Sequence, residues 1–194
     1  MYLITPPGLV PGGVSPDAFC HLLVEAIGET QAAALLVDCG NDPAAEAQLE
    51  KYLLPLIRQR DFALLLKDRV DLLEATDADG VQLSDPAQIK PQRSKLGDLS
   101  IGAVSLLERD AAMTAAEAGA DYVAFDPAAD PQQGLALVQW WSEMMTVPSV
   151  VMATTPTAAS PFAEAGTDFI AVTSDIWQQP DPLAALRDFM RVVG

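Results

Sequence analysis

The chain has 194 residues, 50% hydrophobic and 20% charged, a balance that fits one globular domain and excludes a disordered chain. Eleven Lys and Arg stand against 27 Asp and Glu, a net charge of −16, which argues against nucleic acid and anionic membranes as partners. No apolar run reaches the roughly 18 residues of a spanning helix, the opening MYLITPPG has no basic leader, and two cysteines with one histidine make neither a disulfide framework nor a zinc cluster. A cytoplasmic protein is expected, and any metal in it must be held by oxygen.

In chain order, short runs rich in branched apolar residues alternate with longer amphipathic stretches. Strands are predicted over 2–5, 33–37, 62–66, 80–83, 101–104, 122–125, 149–152 and 169–173. Helices are predicted over 16–27 behind a Ser15 cap, 43–60, 70–75, weakly near Ile89, then 107–118, 134–145, 161–165 and 182–192. Each strand is followed by a helix, and about eight strands is the number that closes a parallel barrel. The expectation is an α/β protein, a single (β/α)8 TIM barrel over residues 1–194. An open doubly wound sheet is the competing architecture, but Pro6-Pro7-Gly8 after the first strand lacks that fold's glycine-rich phosphate turn.

Three strings recur just before strands: Ala78-Asp79-Gly80, Gly119-Ala120-Asp121 and Gly166-Thr167-Asp168. At about forty residues apart they mark a repeated βα unit, with a small residue for the turn between helix and strand. His21 sits on the first helix away from the expected mouth, so packing or a surface role is the simpler reading. Cys39 lies at a strand end without a basic neighbour in sequence, which favours an inert thiol. Trp140, Trp141, Met144 and Met145 share one helix. Adjacent aromatics there must face different ways, one onto the barrel and the other outward, where a homodimer contact is expected.

The opening Tyr2-Leu3-Ile4-Thr5, the segment Lys67-Asp68-Arg69-Val70-Asp71, the run Ala78 to Leu83, Ala118 to Val123, and Gly166 to Ser174 resemble thiamine-phosphate synthase and its thiazole-tautomerase relatives in order and spacing over nearly the whole chain. The resemblance implies a barrel with its site at the C-terminal ends of the strands. It also implies thiamine biosynthesis, in which a pyrimidine methyl diphosphate joins a thiazole phosphate and pyrophosphate leaves with magnesium help. Such chemistry gathers phosphate charge in one mouth, where cations and N–H donors are needed.

Position by position, the match is uneven. The family's Gln-x-Arg-x-Lys after strand two aligns with Leu36-Val37-Asp38-Cys39-Gly40, so both cations are absent and a carboxylate stands in their place. A charge reversal of that kind changes the sign of an interaction of ~4 kcal/mol at a separation of ~4 Å and an effective dielectric of ~20. The family's Asn-Asp pair aligns with Lys67-Asp68, which are the implied catalytic residues, with Asp68 the implied magnesium ligand; a structural bridge from Lys67 to Asp38 or Asp68 is the competing reading. Its His-Leu-Gly-Gln-x-Asp aligns with Gln82-Leu83-Ser84-Asp85-Pro86-Ala87. The second metal ligand is thus Ala87, and Asp85 is expected to substitute. The strand-five serine aligns with Val104, or with Ser105 after a one-residue slip. The Thr-x-Thr-Lys stretch aligns with 126–132, which holds no lysine, and Gly-Gly-Ile aligns with Ala153-Thr154-Thr155. Ser174 is kept, ahead of an expected short phosphate-binding helix.

The resemblance therefore implies ligand contacts from Asp38, Gln82, Thr154, Thr155 and Ser174 to a small phosphorylated molecule. Asp38, Asp68, Asp85 and Asp126 are expected to face the mouth, either as an oxygen-rich cation site or as a solvated acidic rim. Two functions follow: a thiamine-related enzyme on a thiazole or pyrimidine phosphate with the diphosphate condensation impaired, or a barrel retained as a binding or regulatory partner.

Overall fold

The computed structural model describes residues 1–105 and 107–193. Eight parallel strands close into a barrel in sequence order: β1 Tyr2–Ile4, β2 Ala34–Val37, β3 Ala63–Lys67, β4 Gly80–Leu83, β5 Ser100–Ser105, β6 Tyr122–Phe125, β7 Ser149–Ala153 and β8 Phe169–Val172. The ring is completed by β1 pairing with β8. Around it run α1 Pro16–Thr30, α2 Pro43–Gln48, α3 Leu73–Thr76, α4 Ile89–Leu96, α5 Arg109–Glu117, α6 Pro131–Met144, α7 Pro156–Glu164 and α8 Pro182–Val193. The expected TIM barrel is the observed fold. No helix among the described residues is long and apolar enough to cross a membrane.

The period of two along each strand sorts side chains into two cores. Outward residues such as Leu35, Leu64, Val81, Ile101, Val123 and Val151 pack under the helices. Inward residues Tyr2, Ala34, Leu36, Leu65, Ala124, Val150 and Ala171 fill the barrel. Gly102 belongs to the inward set, because a Cβ there would fall 2.0 Å from Cζ of Tyr122. The missing side chain makes room for that ring. Tyr2 and Tyr122 hydroxyls lie 3.1 Å apart and both reach Gln82 Oε1, at 3.0 and 3.1 Å, a buried polar triangle beneath the mouth. Burial holds both phenols well above their usual pKa, so they remain neutral donors.

The three recurrent strings have a structural explanation. Asp79, Asp121 and Asp168 each turn a carboxylate back to the preceding strand and accept from the N–H of Leu64, Ile101 and Ser149, at 2.7, 2.7 and 2.8 Å. These brackets tie neighbouring strands together at the barrel's N-terminal end, the face concerned with stability. Arg60 and Arg93 pair with the first two.

Several boundaries differ from expectation for local reasons. The stretch 43–60 is helical only to Gln48, continues as a π-helical turn Leu49–Leu53, and then leaves the helix. Pro55 has no N–H and its ring conflicts with the carbonyl of Lys51. Helix α7 starts five residues early because Thr155 caps it and Pro156 occupies its first turn, with Pro161 tolerated inside. Helix α6 likewise starts at Pro131 behind an Asp130 cap. The expected helix 70–75 is a 3₁₀ turn Val70–Leu72 followed by α3. Trp141 is 1% exposed and donates to Val147 O at 2.8 Å, whereas Trp140 is half-buried under the Arg109 guanidinium and Met144 is exposed.

Replacing Asp121 by Ala removes the bracket on Ile101 and leaves Arg93 without its carboxylate. The expected loss is ~2 kcal/mol in urea unfolding, with ligand binding at the opposite face unchanged.

Candidate active site

The ends of all eight strands deliver residues to the C-terminal mouth. Thr5, Asp38, Lys67, Ser84, Val104, Asp126, Met152 and Thr173 line a cavity of about 310 Å³ there, with Ser174 at its edge and Gln82 in its floor. The register question on β5 is settled by this geometry: Val104 faces the mouth, while Ser105 is buried.

Lys67 ends β3 pointing inward, and its Nζ lies 2.8 Å from Asp38 Oδ2. Asp38 is itself held by its backbone N–H donating to Thr5 Oγ1 at 2.9 Å and by Gly40 N–H donating to its Oδ1 at 3.1 Å. With the Asp38 side chain 11% exposed and that of Lys67 38% exposed, the carboxylate is fixed and the ammonium faces the cavity. Lys67 is the cation lining the mouth, against two carboxylates, Asp38 and Asp126.

Arg69 does not belong to a basic pocket. Its guanidinium is buried, donates to Gly40 O at 2.8 Å, to Glu46 at 2.6 Å, and through two nitrogens to Asp71 at 2.8 and 2.6 Å. These bonds raise its own pKa and hold the Asp71 carboxyl below its usual range. The physical result is a clamp that ties the β2–α2 loop, carrying Asp38, to the segment that follows Lys67.

Asp68 and Asp85 stand outside the mouth, contrary to the expected ring of four carboxylates. Once Lys67 takes the inward position, Asp68 turns into the left-handed region at φ 56°. There it accepts from Ser84 N–H at 2.7 Å and Ser84 Oγ at 2.6 Å. Asp85 caps its own turn by accepting from Ala87 N–H at 3.0 Å. Among the described residues, no three Asp, Glu, His or Cys side chains converge as a metal site. Magnesium favours carboxylates that it can share with substrate phosphate, and these two face the β4–α4 loop instead. Both carboxylates are engaged in bracing the connection after β4.

Of the other expected contacts, Ser174 and Gln82 line the mouth with Lys67 and Asp38. Thr154 lines a neighbouring apolar cavity. Thr155 spends its hydroxyl oxygen accepting from Ala158 N–H as the α7 cap. Thr173 was missed in the sequence. It closes β8, lines both cavities, and has a buried Oγ1 with no hydrogen-bond partner among the described residues. Its place after a buried β strand and before Ser174 was the available signal.

Cys39 sits in the β2–α2 loop, buried, with its thiol pushed up to about 11 chiefly by desolvation against a weaker opposing pull from Arg69. Cys20, under α1, is likewise raised to about 11. Neither is a thiolate at neutral pH. Alkylation by iodoacetamide at pH 7.5 is expected to leave both intact in the folded protein and to modify both in denaturant, as read by intact mass.

A closed ring of eight parallel strands with helices outside and a mouth at the strand ends defines the class of (β/α)8 TIM-barrel proteins. Within it, a profile described as thiamine monophosphate synthase matches residues 1–176, and the chain belongs to that family. Thiamine-phosphate synthase of Rhodospirillum centenum is 35% identical over 210 aligned positions, covering 100% of this chain and 97% of that one. The Erythrobacter litoralis protein of the same name is 35% identical over 206, covering 100% and 95%. Among solved structures, thiamine phosphate pyrophosphorylase from Pyrococcus furiosus superposes with a TM-score of 0.80 at 28% identity, covering 99% of this chain and 94% of that one.

Proposed function

We propose that this chain acts in thiamine biosynthesis on a small monophosphorylated ligand of thiazole or pyrimidine type, and that it does not carry out the condensation that expels pyrophosphate. Membership of the family supports the first half. The Asp38–Lys67 pair carries the second: at the position where the family has a diphosphate-gripping arginine, the mouth holds a fixed carboxylate that already occupies its cation.

A single phosphate is compatible with this arrangement and a diphosphate is not. A monophosphate entering the mouth accepts from the Lys67 N–H groups that are not donated to Asp38, and Ser174 supplies a hydroxyl donor. Gln82 has its oxygen committed to Tyr2 and Tyr122, which leaves its amide N–H groups for the ligand. A second phosphate adds negative charge beside Asp38 and Asp126 without adding a cation. In this reading Lys67 contacts the anion and Asp38 limits how much anionic charge the mouth accepts. Asp68 is a positioning residue that fixes the β4–α4 loop through Ser84.

Calorimetric titration with thiazole phosphate tests the assignment. Lys67→Ala is expected to abolish binding, and Asp38→Asn to tighten it by on the order of tenfold, since the ammonium is then released to the ligand. Unchanged affinity in Lys67→Ala would overturn the assignment. Absence of binding by the unaltered protein would leave the barrel as a protein-binding partner.

A further inference from the structure

Beside the mouth lies a second cavity of about 350 Å³. It opens between the β6–α6 and β7–α7 connections, and Asp126, Met152 and Thr173 line both spaces, so the two adjoin. Its chemistry is different. Apolar residues, among them Pro127, Pro131, Leu135, Met152, Ala158 and Phe162, form most of the wall, and its lining includes no Lys or Arg.

The walls are preformed. Three prolines, Pro127, Pro131 and Pro161, stiffen the rim. Gly134 lets α6 settle onto Pro127, since a Cβ there would lie 2.6 Å from the Pro127 Cβ. Stiff walls cannot collapse inward to remove the space, and an apolar cavity of this size beside a polar mouth is suited to an organic group. A phosphate is a poor occupant, because it would meet Asp126 without a compensating cation.

At the junction stands the Thr173 hydroxyl, buried and without a partner. It precedes the 3₁₀ turn Ser174–Gln178 but makes no capping hydrogen bond to it. Leaving a buried hydroxyl unmatched is costly, and a turn about χ1 toward a ligand that crosses from one cavity to the other would satisfy it.

We infer that this side cavity is the subsite for the uncharged, apolar body of a monophosphate ester whose phosphate lies at Lys67 and Ser174, with Thr173 donating to the ester linkage between them. The inference rests on the phosphate assignment above and adds to it the shape of the ligand: one anionic end, one apolar end and a polar atom at the bend.

Calorimetry with inorganic phosphate, methyl phosphate and benzyl phosphate tests it, with benzyl alcohol followed by ligand-observed NMR as a probe of the cavity alone. Benzyl phosphate is expected to bind on the order of tenfold to a hundredfold more tightly than methyl phosphate. Ala158→Phe, or Leu135→Trp from the opposite wall, is expected to erase that gain while leaving inorganic phosphate unaffected. Thr173→Val is expected to weaken both esters and spare inorganic phosphate. Equal affinities for the two esters, or a benzyl gain that survives both filling variants, would overturn the inference. If inorganic phosphate does not bind, the phosphate assignment fails by itself. Benzyl alcohol then decides the cavity: saturable binding lost in Ala158→Phe supports it, and no binding overturns it.

Discussion

The alternation of side chains around a closed ring of parallel strands is the constraint from which the rest of the molecule follows. Because the period is two, an inward-facing residue near the end of a strand is committed to the mouth, and its neighbour within the strand is turned away from it. Lys67 and Asp68 are consecutive, and the register of β3 assigns the inward place to Lys67. Asp68 is left to brace the neighbouring loop through Ser84. The same rule separates Val104 from Ser105 on β5.

The mouth this produces is small and electrostatically self-limiting. One ammonium faces the cavity, and a carboxylate anchored from two directions holds it there. Arg69, the guanidinium nearest in sequence, is withdrawn into a buried clamp with Glu46 and Asp71, where it sets the position of the loop that carries Asp38. The two cations therefore act on the same loop in different ways: one shapes it from below, and the other meets the cavity. Against a chain charge of −16 this leaves little attraction for a highly charged anion.

The barrel was legible in the sequence because apolar runs of strand length alternate with amphipathic stretches all the way from Tyr2 to Val193. Boundaries were harder where prolines act. Pro55 ends a helix whose apolar pattern continues past it, whereas Pro156 opens one that the pattern alone placed later. The recurrent Asp79, Asp121 and Asp168 were visible as a repeat, but their roles as brackets on the preceding strand depend on pairing that is distant in sequence. At the site, Asp38 and Lys67 were both identifiable and a bridge from Lys67 to Asp38 or to Asp68 was expected; the pairing that selects Asp38 spans 29 positions and depends on strand register. Asp68 and Asp85 were expected as metal ligands from a pattern that does not show the left-handed turn at Asp68 or the capping role of Asp85 after β4. Thr173 has no sequence signature beyond its place at a strand end; only the buried, unmatched hydroxyl marks it.

The central claim is that the family's barrel has been kept while its mouth has been reset for one phosphate. The most direct measurement is product formation by the purified protein, supplied with thiazole phosphate, the pyrimidine methyl diphosphate and magnesium, followed by fluorescence of oxidised thiamine phosphate. The expected result is no product above a protein-free control, with thiazole phosphate still bound under the same conditions. Multiple turnovers to thiamine phosphate, abolished by Lys67→Ala, would contradict the account.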